Sequence, residues 1–210
     1  MNGMSPEQQV RREIAEVGRW LYEKRFVAAT EGNISVRLGQ RVLITPSGRC
    51  KGMLRPEEIV GTDLEGINDA GGLSPSSELL MHLAIYRRRP GVGAVIHAHP
   101  PHATGFAVAG IALDKPVLPE VVFFIGTVPL VAYATPGSRE AADSVGSLID
   151  SHDALLLSNH GAVTCGANLQ AAYFKMETLE QFAWISTIAR FLGNERELTP
   201  EQVARIEALK

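Results

Sequence analysis

A pair of histidines separated by one residue is the strongest chemical signal in this sequence. His97 and His99 end the segment 93–99 (GAVIHAH), whose β-branched Val95 and Ile96 favour a strand. Residues two apart in a strand point to the same face, so both imidazoles can reach one metal ion. Such pairs also occur on solvated strands without a metal, so a metal site needs further ligands.

Two other residues complete a candidate ligand set. His160 lies in a polar corner, 158–161 (SNHG), directly after the apolar segment 154–157. Glu78 lies in the first turn of a predicted helix, where free amide groups and the helix dipole favour an anion. Three imidazoles and one carboxylate suit a divalent ion, with zinc as the first choice and Mn²⁺ or Co²⁺ as alternatives. Glu78 taken alone would equally suit a helix N-terminus.

The remaining histidines carry weaker signals. His82 follows Glu78 by one helical turn and suits a packing role or a role supporting the metal ligands. His102 and His152 have no supporting sequence context, and we expect them to be structural or exposed.

Three small polar turns could bind an anion through backbone amides, hydroxyls and a side-chain amide. Ordinary turns and helix caps have the same composition, so each turn alone is ambiguous. The candidate anion-binding residues are Gly32, Asn33, Ser47, Gly48, Ser76 and Ser77.

Alternating strand and helix patterns must position these residues. Periodicity and capping signals predict helices that start near residues 5, 76 or 77, 102, 136, 168 and 199. Short β-rich segments predict strands at 33–37, 41–45, 58–61, 93–99, 117–122, 128–133, 154–158 and 162–165. Short turns join several strand pairs, so we expect a mixed or mainly antiparallel sheet with helices on both faces.

Composition limits the class of protein. The chain has 210 residues, 45% of them hydrophobic, and a formal net charge of -3, which suits one domain over 1–210 and argues against a nucleic-acid partner. No segment has the length of a membrane span, and the N-terminus has no apolar secretory core. Cys50 and Cys165 are typical of thiols in a reducing compartment, so we expect a cytoplasmic protein.

The ordered motifs resemble those of the class II aldolase/adducin family. They are residues 31–35 (EGNIS), 44–48 (ITPSG), 75–78 (PSSE), 97–99 (HAH) and 159–161 (NHG), and the resemblance extends from the first helix to the helix that ends near residue 191. It implies an α/β/α three-layer domain with a mainly antiparallel central sheet. It also implies a homotetramer with active sites between subunits.

The same resemblance implies roles for the candidate residues. His97, His99 and His160 would hold zinc, and Glu78 would bind it in the empty site and act as acid/base during turnover. The six turn residues would receive the phosphate of a ketose 1-phosphate of the fuculose, 5-deoxyribulose or methylthioribulose type. Retro-aldol cleavage would then give dihydroxyacetone phosphate and an aldehyde.

One departure from the family pattern concerns a second proton-transfer group. Fuculose-cleaving members use a tyrosine in the segment that corresponds to 118–123, and the alignment of motifs places Phe123 there. Glu120 or Tyr133 could replace it. We choose Glu120, the ionisable group in an otherwise apolar segment, with a carboxylate at a strand edge as the alternative.

Other functions remain open on the same scaffold. Epimerases, dehydratases and decarboxylases of phosphorylated sugars share the metal site in this family. A non-enzymatic interaction domain like the adducin head is a further alternative. Such domains have lost the metal histidines, whereas this chain has all three.

Overall fold

The computed structural model describes residues 3–69 and 72–209, and within them the chain forms seven α-helices and seven strands. The helices are α1 (Pro6–Glu23), α2 (Leu79–Arg88), α3 (Pro101–Ala109), α4 (Pro119–Phe124), α5 (Arg139–Ile149), α6 (Leu169–Phe191) and α7 (Pro200–Glu207). The strands are β1 (Asn33–Leu38), β2 (Arg41–Ile44), β3 (Val60–Asp63), β4 (Ala94–Ala98), β5 (Leu130–Val131), β6 (Ala154–Leu157) and β7 (Gly161–Gly166).

The strands form one sheet in the order β3-β2-β1-β4-β7-β6-β5. Every neighbouring pair is antiparallel except β5 and β6, which are parallel. The predicted mainly antiparallel sheet is therefore confirmed. Strand β4, which carries His97, lies in the middle of the sheet between β1 and β7.

Helices cover both faces of this sheet. On one face, buried residues of α1, α3, α4 and α6 pack on Ile34 of β1 and Ile96 of β4. On the other face, residues of α2 and α5 pack on Val95 of β4 and Val163 of β7. Because side chains alternate along a strand, Ile96 and Val95 belong to opposite cores. The predicted three-layer α/β/α architecture is confirmed.

Most predicted elements form where their patterns place them. Ser5 caps α1, with its hydroxyl accepting from the Gln8 amide and the Gln8 side chain accepting from the Ser5 amide. The third predicted strand lies two residues later than expected, because Pro56–Glu58 forms a turn of 3₁₀-helix before β3. The second helix begins at Leu79, so Glu78 is its N-cap residue rather than part of its first turn.

One predicted strand is wrong. The segment 117–122 was expected to be extended because of its β-branched valines, but Pro119–Phe124 is the helix α4. Pro119 occupies the first helical turn, where its fixed φ and missing N–H are tolerated. Glu120 is therefore a carboxylate in the first turn of a helix and not at a strand edge.

No described helix combines the length and the apolar character that crossing a bilayer requires.

Candidate metal centre

The pairing of the central strands sets the position of His97. In the sheet register, His97 lies opposite Asn33 of β1 on one side and Val163 of β7 on the other. Directly opposite residues project to the same face, so the Asn33 and His97 side chains lie side by side beneath α2. His99 follows the last residue of β4, and its amide donates to the Phe26 carbonyl oxygen at 2.7 Å.

His160 is supplied by the turn between β6 and β7. Asn159 has a φ of 56°, a left-handed conformation that makes the chain reverse sharply before His160. The next residue, Gly161, has no room for a side chain, because an added Cβ would lie 2.6 Å from both the Ala98 oxygen and the His99 ring. This close backbone approach brings the His160 loop against the end of β4.

The three imidazole rings converge. Their centroids are 4.5 Å apart for His97 and His160, 4.9 Å for His97 and His99, and 5.0 Å for His99 and His160. One nitrogen from each ring lies within 4.8 Å of the other two. Nε2 of His97 and Nε2 of His99 are 3.1 Å apart, close to the roughly 3.3 Å between ligands of a tetrahedral ion with bonds of about 2.05 Å.

Glu78 reaches the same point from α2. Its Oε2 lies 3.2 Å from His97 Nε2, and its Oε1 lies 3.7 Å from His160 Nε2. The three imidazole rings therefore converge, and Glu78 lies beside two of them, His97 and His160. This donor set fits a divalent ion such as zinc.

Hydrogen bonds to the other ring nitrogens fix two of the tautomers. His97 Nδ1 lies 2.9 Å from the Ala162 carbonyl oxygen, an acceptor only, so Nδ1 carries the proton and Nε2 keeps its lone pair. His99 Nδ1 lies 3.3 Å from Glu31 Oε2, which favours the same arrangement in that ring. Both rings thus direct a lone pair to the centre.

The electrostatic environment keeps the ligands in their metal-binding forms. Burial and the neighbouring His97 ring lower the pKa of His160 to about 4, and the same two causes lower the pKa of His99. Burial would raise the pKa of Glu78, but His97, His160 and the Asn33 amide outweigh it and hold the pKa well below its usual range. At neutral pH the lowered pKa values favour neutral His99 and His160 rings and an anionic Glu78 carboxylate.

The predicted anion-binding turns adjoin this centre. Gly32 has a φ of 69°, and an added Cβ would lie 2.8 Å from the His97 carbonyl oxygen. The Ser47 amide donates to the Ser74 oxygen at 3.0 Å, and the Ser76 amide donates to the Thr45 oxygen at 3.1 Å. These bonds join the turn at 45–48 to the segment before α2, where Ser47, Gly48 and Ser77 are exposed and Ser76 is buried.

Asn33 differs from the other five candidate anion-binding residues. Its side chain is buried and spans two partners, with Nδ2 donating to Glu78 Oε2 at 2.8 Å and Oδ1 lying 2.5 Å from His82 Nε2. The side-chain amide is thus committed to the carboxylate of the centre and to the supporting histidine. Any contact of Asn33 with an anion has to use its backbone.

The second proton-transfer candidates lie apart from the histidine cluster. Glu120 is exposed on α4 and lines an open groove with Arg25, His102 and Glu180. Tyr133 is also exposed. Phe123 packs edge-to-face on Phe124. Within the described part of this one chain, neither Glu120 nor Tyr133 contacts the three rings.

The other histidines have structural partners. His102 Nδ1 lies 2.7 Å from Glu180, and its ring stacks on Trp184. His152 Nδ1 lies 2.8 Å from the Leu148 oxygen. Sequence reasoning gave no individual role to Glu31, which lies beside His99. The sequence signal that could have indicated a role for Glu31 was its position directly before Gly32 and Asn33, two candidate site residues.

Comparison with known proteins places this geometry in a family. Residues 12–187 match the family described as class II aldolase and adducin N-terminal domain. The chain is similar to an L-fuculose phosphate aldolase of Methanococcus maripaludis, with 38% identity over 179 residues, covering 84% of this chain and 95% of that protein.

Two further relatives match almost the full length. A 3-oxo-tetronate 4-phosphate decarboxylase of Escherichia coli is 35% identical over 211 residues, covering 96% of this chain and 97% of that protein. A solved structure of L-fuculose 1-phosphate aldolase has a TM-score of 0.91 and 31% identity, covering 98% of this chain and 97% of that chain.

Proposed function

Because this chain belongs to the class II aldolase/adducin family, we propose that it is a metal-dependent lyase that cleaves a ketose 1-phosphate into dihydroxyacetone phosphate and an aldehyde. Fuculose-, 5-deoxyribulose- and methylthioribulose-type phosphates are the candidate substrates. The relatives described as L-fuculose phosphate aldolases support this reaction class.

The observation that carries the proposal is the position of the His97, His99 and His160 cluster beside three turns suited to phosphate. The three histidines and Glu78 would hold a divalent ion, with zinc preferred and Mn²⁺ or Co²⁺ as alternatives. When bound, the ion would supply Lewis-acid polarisation of the substrate carbonyl. The turn residues Gly32, Asn33, Ser47, Gly48, Ser76 and Ser77 would bind the phosphate.

Two proton transfers accompany the cleavage. The bond between C3 and C4 breaks, its electron pair stays on C3, and the C4 hydroxyl loses its proton as the aldehyde forms. Glu78 is the proposed acid at C3: once substrate takes its place at the ion, its carboxylate would take up a proton from solvent and give that proton to C3. Oε1 is the oxygen proposed to carry it, since Oε2 accepts a hydrogen bond from Asn33.

Glu120 is the proposed group at the C4 hydroxyl. Its place on α4, apart from the histidines of its own chain, requires that it act in the site of a neighbouring subunit. This requirement agrees with the proposed homotetramer with sites between subunits. The proposed location is the cytoplasm, and neither nucleic acid nor membrane is a proposed partner.

Decarboxylation is the second candidate function. The decarboxylase relative matches 96% of this chain, more than the 84% that the archaeal aldolase matches. Loss of CO₂ from a 3-oxo acid also leaves an electron pair beside a carbonyl, and the same metal site would stabilise it. The departing CO₂ needs no base, so this reaction would not require Glu120.

A panel of phosphorylated substrates tests the proposal. Purified, metal-loaded protein is incubated with ketose 1-phosphates and with 3-oxo-tetronate 4-phosphate, and dihydroxyacetone phosphate, aldehyde and CO₂ are measured. Dihydroxyacetone phosphate with an aldehyde supports the aldolase, whereas its release with CO₂ supports the decarboxylase. A product of unchanged carbon number indicates epimerisation or dehydration and contradicts both.

The Glu78→Gln variant tests the assignment of the acid/base. We expect it to keep its metal on the three histidines and to lose at least about 99% of turnover. Wild-type turnover in this variant would remove Glu78 from the mechanism. Metal analysis of the wild type separates enzyme from interaction domain, because a binding module would contain no metal and would not respond to added zinc.

A further inference from the structure

Lys51 has an unusual environment for a lysine. Its side chain is only 2% exposed, although lysine is almost never fully buried unless its charge is paired. It lies in the 3₁₀ turn Lys51–Met53, which packs on α1 so closely that a Cβ on Gly18 would lie 2.7 Å from the Lys51 oxygen. Lys51 therefore belongs to a tightly packed part of the protein and not to an exposed or flexible segment.

The partners of Lys51 are two backbone carbonyl groups. Nζ donates to the Thr30 oxygen and to the Arg49 oxygen, each at 2.7 Å. Thr30 lies two residues before Gly32, and Arg49 directly follows Gly48. One ammonium group thus joins the two chain segments that carry the proposed phosphate-binding turns.

This ammonium group has no carboxylate in ion-pair contact among residues 3–69 and 72–209. Burial lowers the pKa of Lys51 to about 8, against the smaller opposing influence of Cys50, Glu31 and Glu78. Arg49 directs its own side chain to the surface, where its Nε lies 3.6 Å from Glu58. A buried cation without a counter-ion would gain stability from an anion bound nearby.

The segment that Lys51 holds is conformationally strained. Ala29 has a φ of 45°, in the left-handed region that is unfavourable for a residue with a Cβ. The next residue, Thr30, accepts the hydrogen bond from Lys51. This hydrogen bond helps to keep the segment in its observed conformation. Loss of the contact would let Gly32 and its amide move.

We propose that Lys51 is a positioning residue of the phosphate-binding site, holding the turns at 30–33 and 47–49 together and supplying the buried positive charge that balances a bound phosphate dianion. This inference rests on the proposed function, which places the phosphate at those turns. Lys51 acts through the backbone of the two segments and through its charge.

Phosphate binding to the metal-loaded protein tests the inference. The probe is inorganic phosphate, titrated calorimetrically into wild type, Lys51→Met and Lys51→Arg. We expect Lys51→Met to weaken binding about tenfold or more, and Lys51→Arg to recover part of the loss through its charge. Lys115→Met is the matched control, because Lys115 is an exposed lysine paired with Glu197, and it should leave binding unchanged.

Kinetics separate this role from general damage to the fold. With an accepted phosphorylated substrate, Lys51→Met should raise KM about tenfold or more, while kcat at saturation and the metal content change little. A loss confined to kcat, or a loss of metal, would contradict the inference.

Proton uptake by the wild type gives a test that needs no variant. At pH 8.5 inorganic phosphate is already a dianion, and Lys51 is partly neutral, so binding should be accompanied by uptake of a fraction of a proton. The uptake is obtained by repeating the titration in buffers of different ionisation enthalpy. Binding without uptake, in a protein whose Lys51 is shown by NMR titration to ionise near pH 8, would overturn the inference even if Lys51→Met does not fold.

The outcomes distinguish the inference from the proposed function. A wild-type protein that binds neither phosphate nor any sugar phosphate contradicts the proposed function and the inference together. Phosphate binding that is equal in wild type and Lys51→Met contradicts the inference alone.

Discussion

The side-chain amide of Asn33 donates a hydrogen bond to the carboxylate of Glu78, with 2.8 Å between Nδ2 and Oε2. This orientation leaves Asn33 Oδ1 as the acceptor for His82, so the neutral His82 ring must carry its proton on Nε2. His82 Nδ1 then accepts from the Ser35 hydroxyl at 2.7 Å, and Ser35 accepts from the Tyr86 hydroxyl at 2.7 Å. Every donor in this buried chain points toward Glu78.

Replacing Ser35 by alanine should destabilise the protein by about 2 kcal/mol. Ser35 is fully buried, and its loss leaves His82 Nδ1 without a described partner and removes the side-chain partner of the Tyr86 hydroxyl. Denaturant unfolding measures the change. Ser147→Ala is the control, because the exposed Ser147 hydroxyl only donates to the Ser144 oxygen, and it should change stability by less than about 0.5 kcal/mol. Equal losses in the two variants would contradict the buried chain.

The stability of the protein should depend on pH through His82. Burial lowers the pKa of His82 from 6.5 to about 3, so between these values the unfolded chain binds a proton that the folded protein does not. Stability from this group is therefore complete above pH 6.5 and is lost as the pH falls toward 3, with a slope of at most about 1.4 kcal/mol per pH unit.

Unfolding of metal-free wild type and His82→Gln from pH 7 to 4 measures this contribution. The metal ligands are common to both proteins, so the difference between their curves reports His82. We expect the curve of the variant to be shallower. Parallel curves would show that His82 has the same proton affinity in the folded and unfolded chains.

A methyl group at position 161 should weaken the metal site. An alanine Cβ there would meet the Ala98 oxygen and the His99 ring, both at 2.6 Å, so His99 has to move away from the other ligands. We expect Gly161→Ala to reduce zinc affinity at least about tenfold in a competition titration with a chelator. Gly105→Ala is the control, because nothing lies within 4 Å of its added Cβ, and unchanged affinity is expected there. Wild-type affinity in Gly161→Ala would contradict the tight packing of this turn.

The local patterns of the site were visible in the sequence. The alternation in the segment 93–99 places His97 and His99 on one strand face, and the spacing of Glu78 and His82 places these two on one helix face. The strand pattern around His97 and the polar turn at His160 were equally local. Each half of the site therefore followed from the period of its own element.

The contacts between these halves were not visible. Asn33 lies opposite His97 because β1 pairs with β4. The two residues are more than 60 positions apart in the chain, and no local pattern in the sequence predicts this pairing. Burial of Lys51 depends in the same way on α1 and on the segment at Thr30. The helix α4 was missed because its valines favour a strand, whereas Pro119 and tertiary packing decide for a helix.

The left-handed conformation of Ala29 leads to a prediction of increased stability. Its φ of 45° penalises any residue with a Cβ, and glycine removes the penalty at a smaller entropic cost in the unfolded chain. Ala29→Gly should therefore stabilise the protein by up to about 1 kcal/mol in denaturant unfolding. Ala208→Gly is the matched control, because Ala208 has a φ of -65° and gains nothing from glycine, so this variant should be neutral or slightly destabilised. If both variants lose stability equally, Ala29 is not strained in solution.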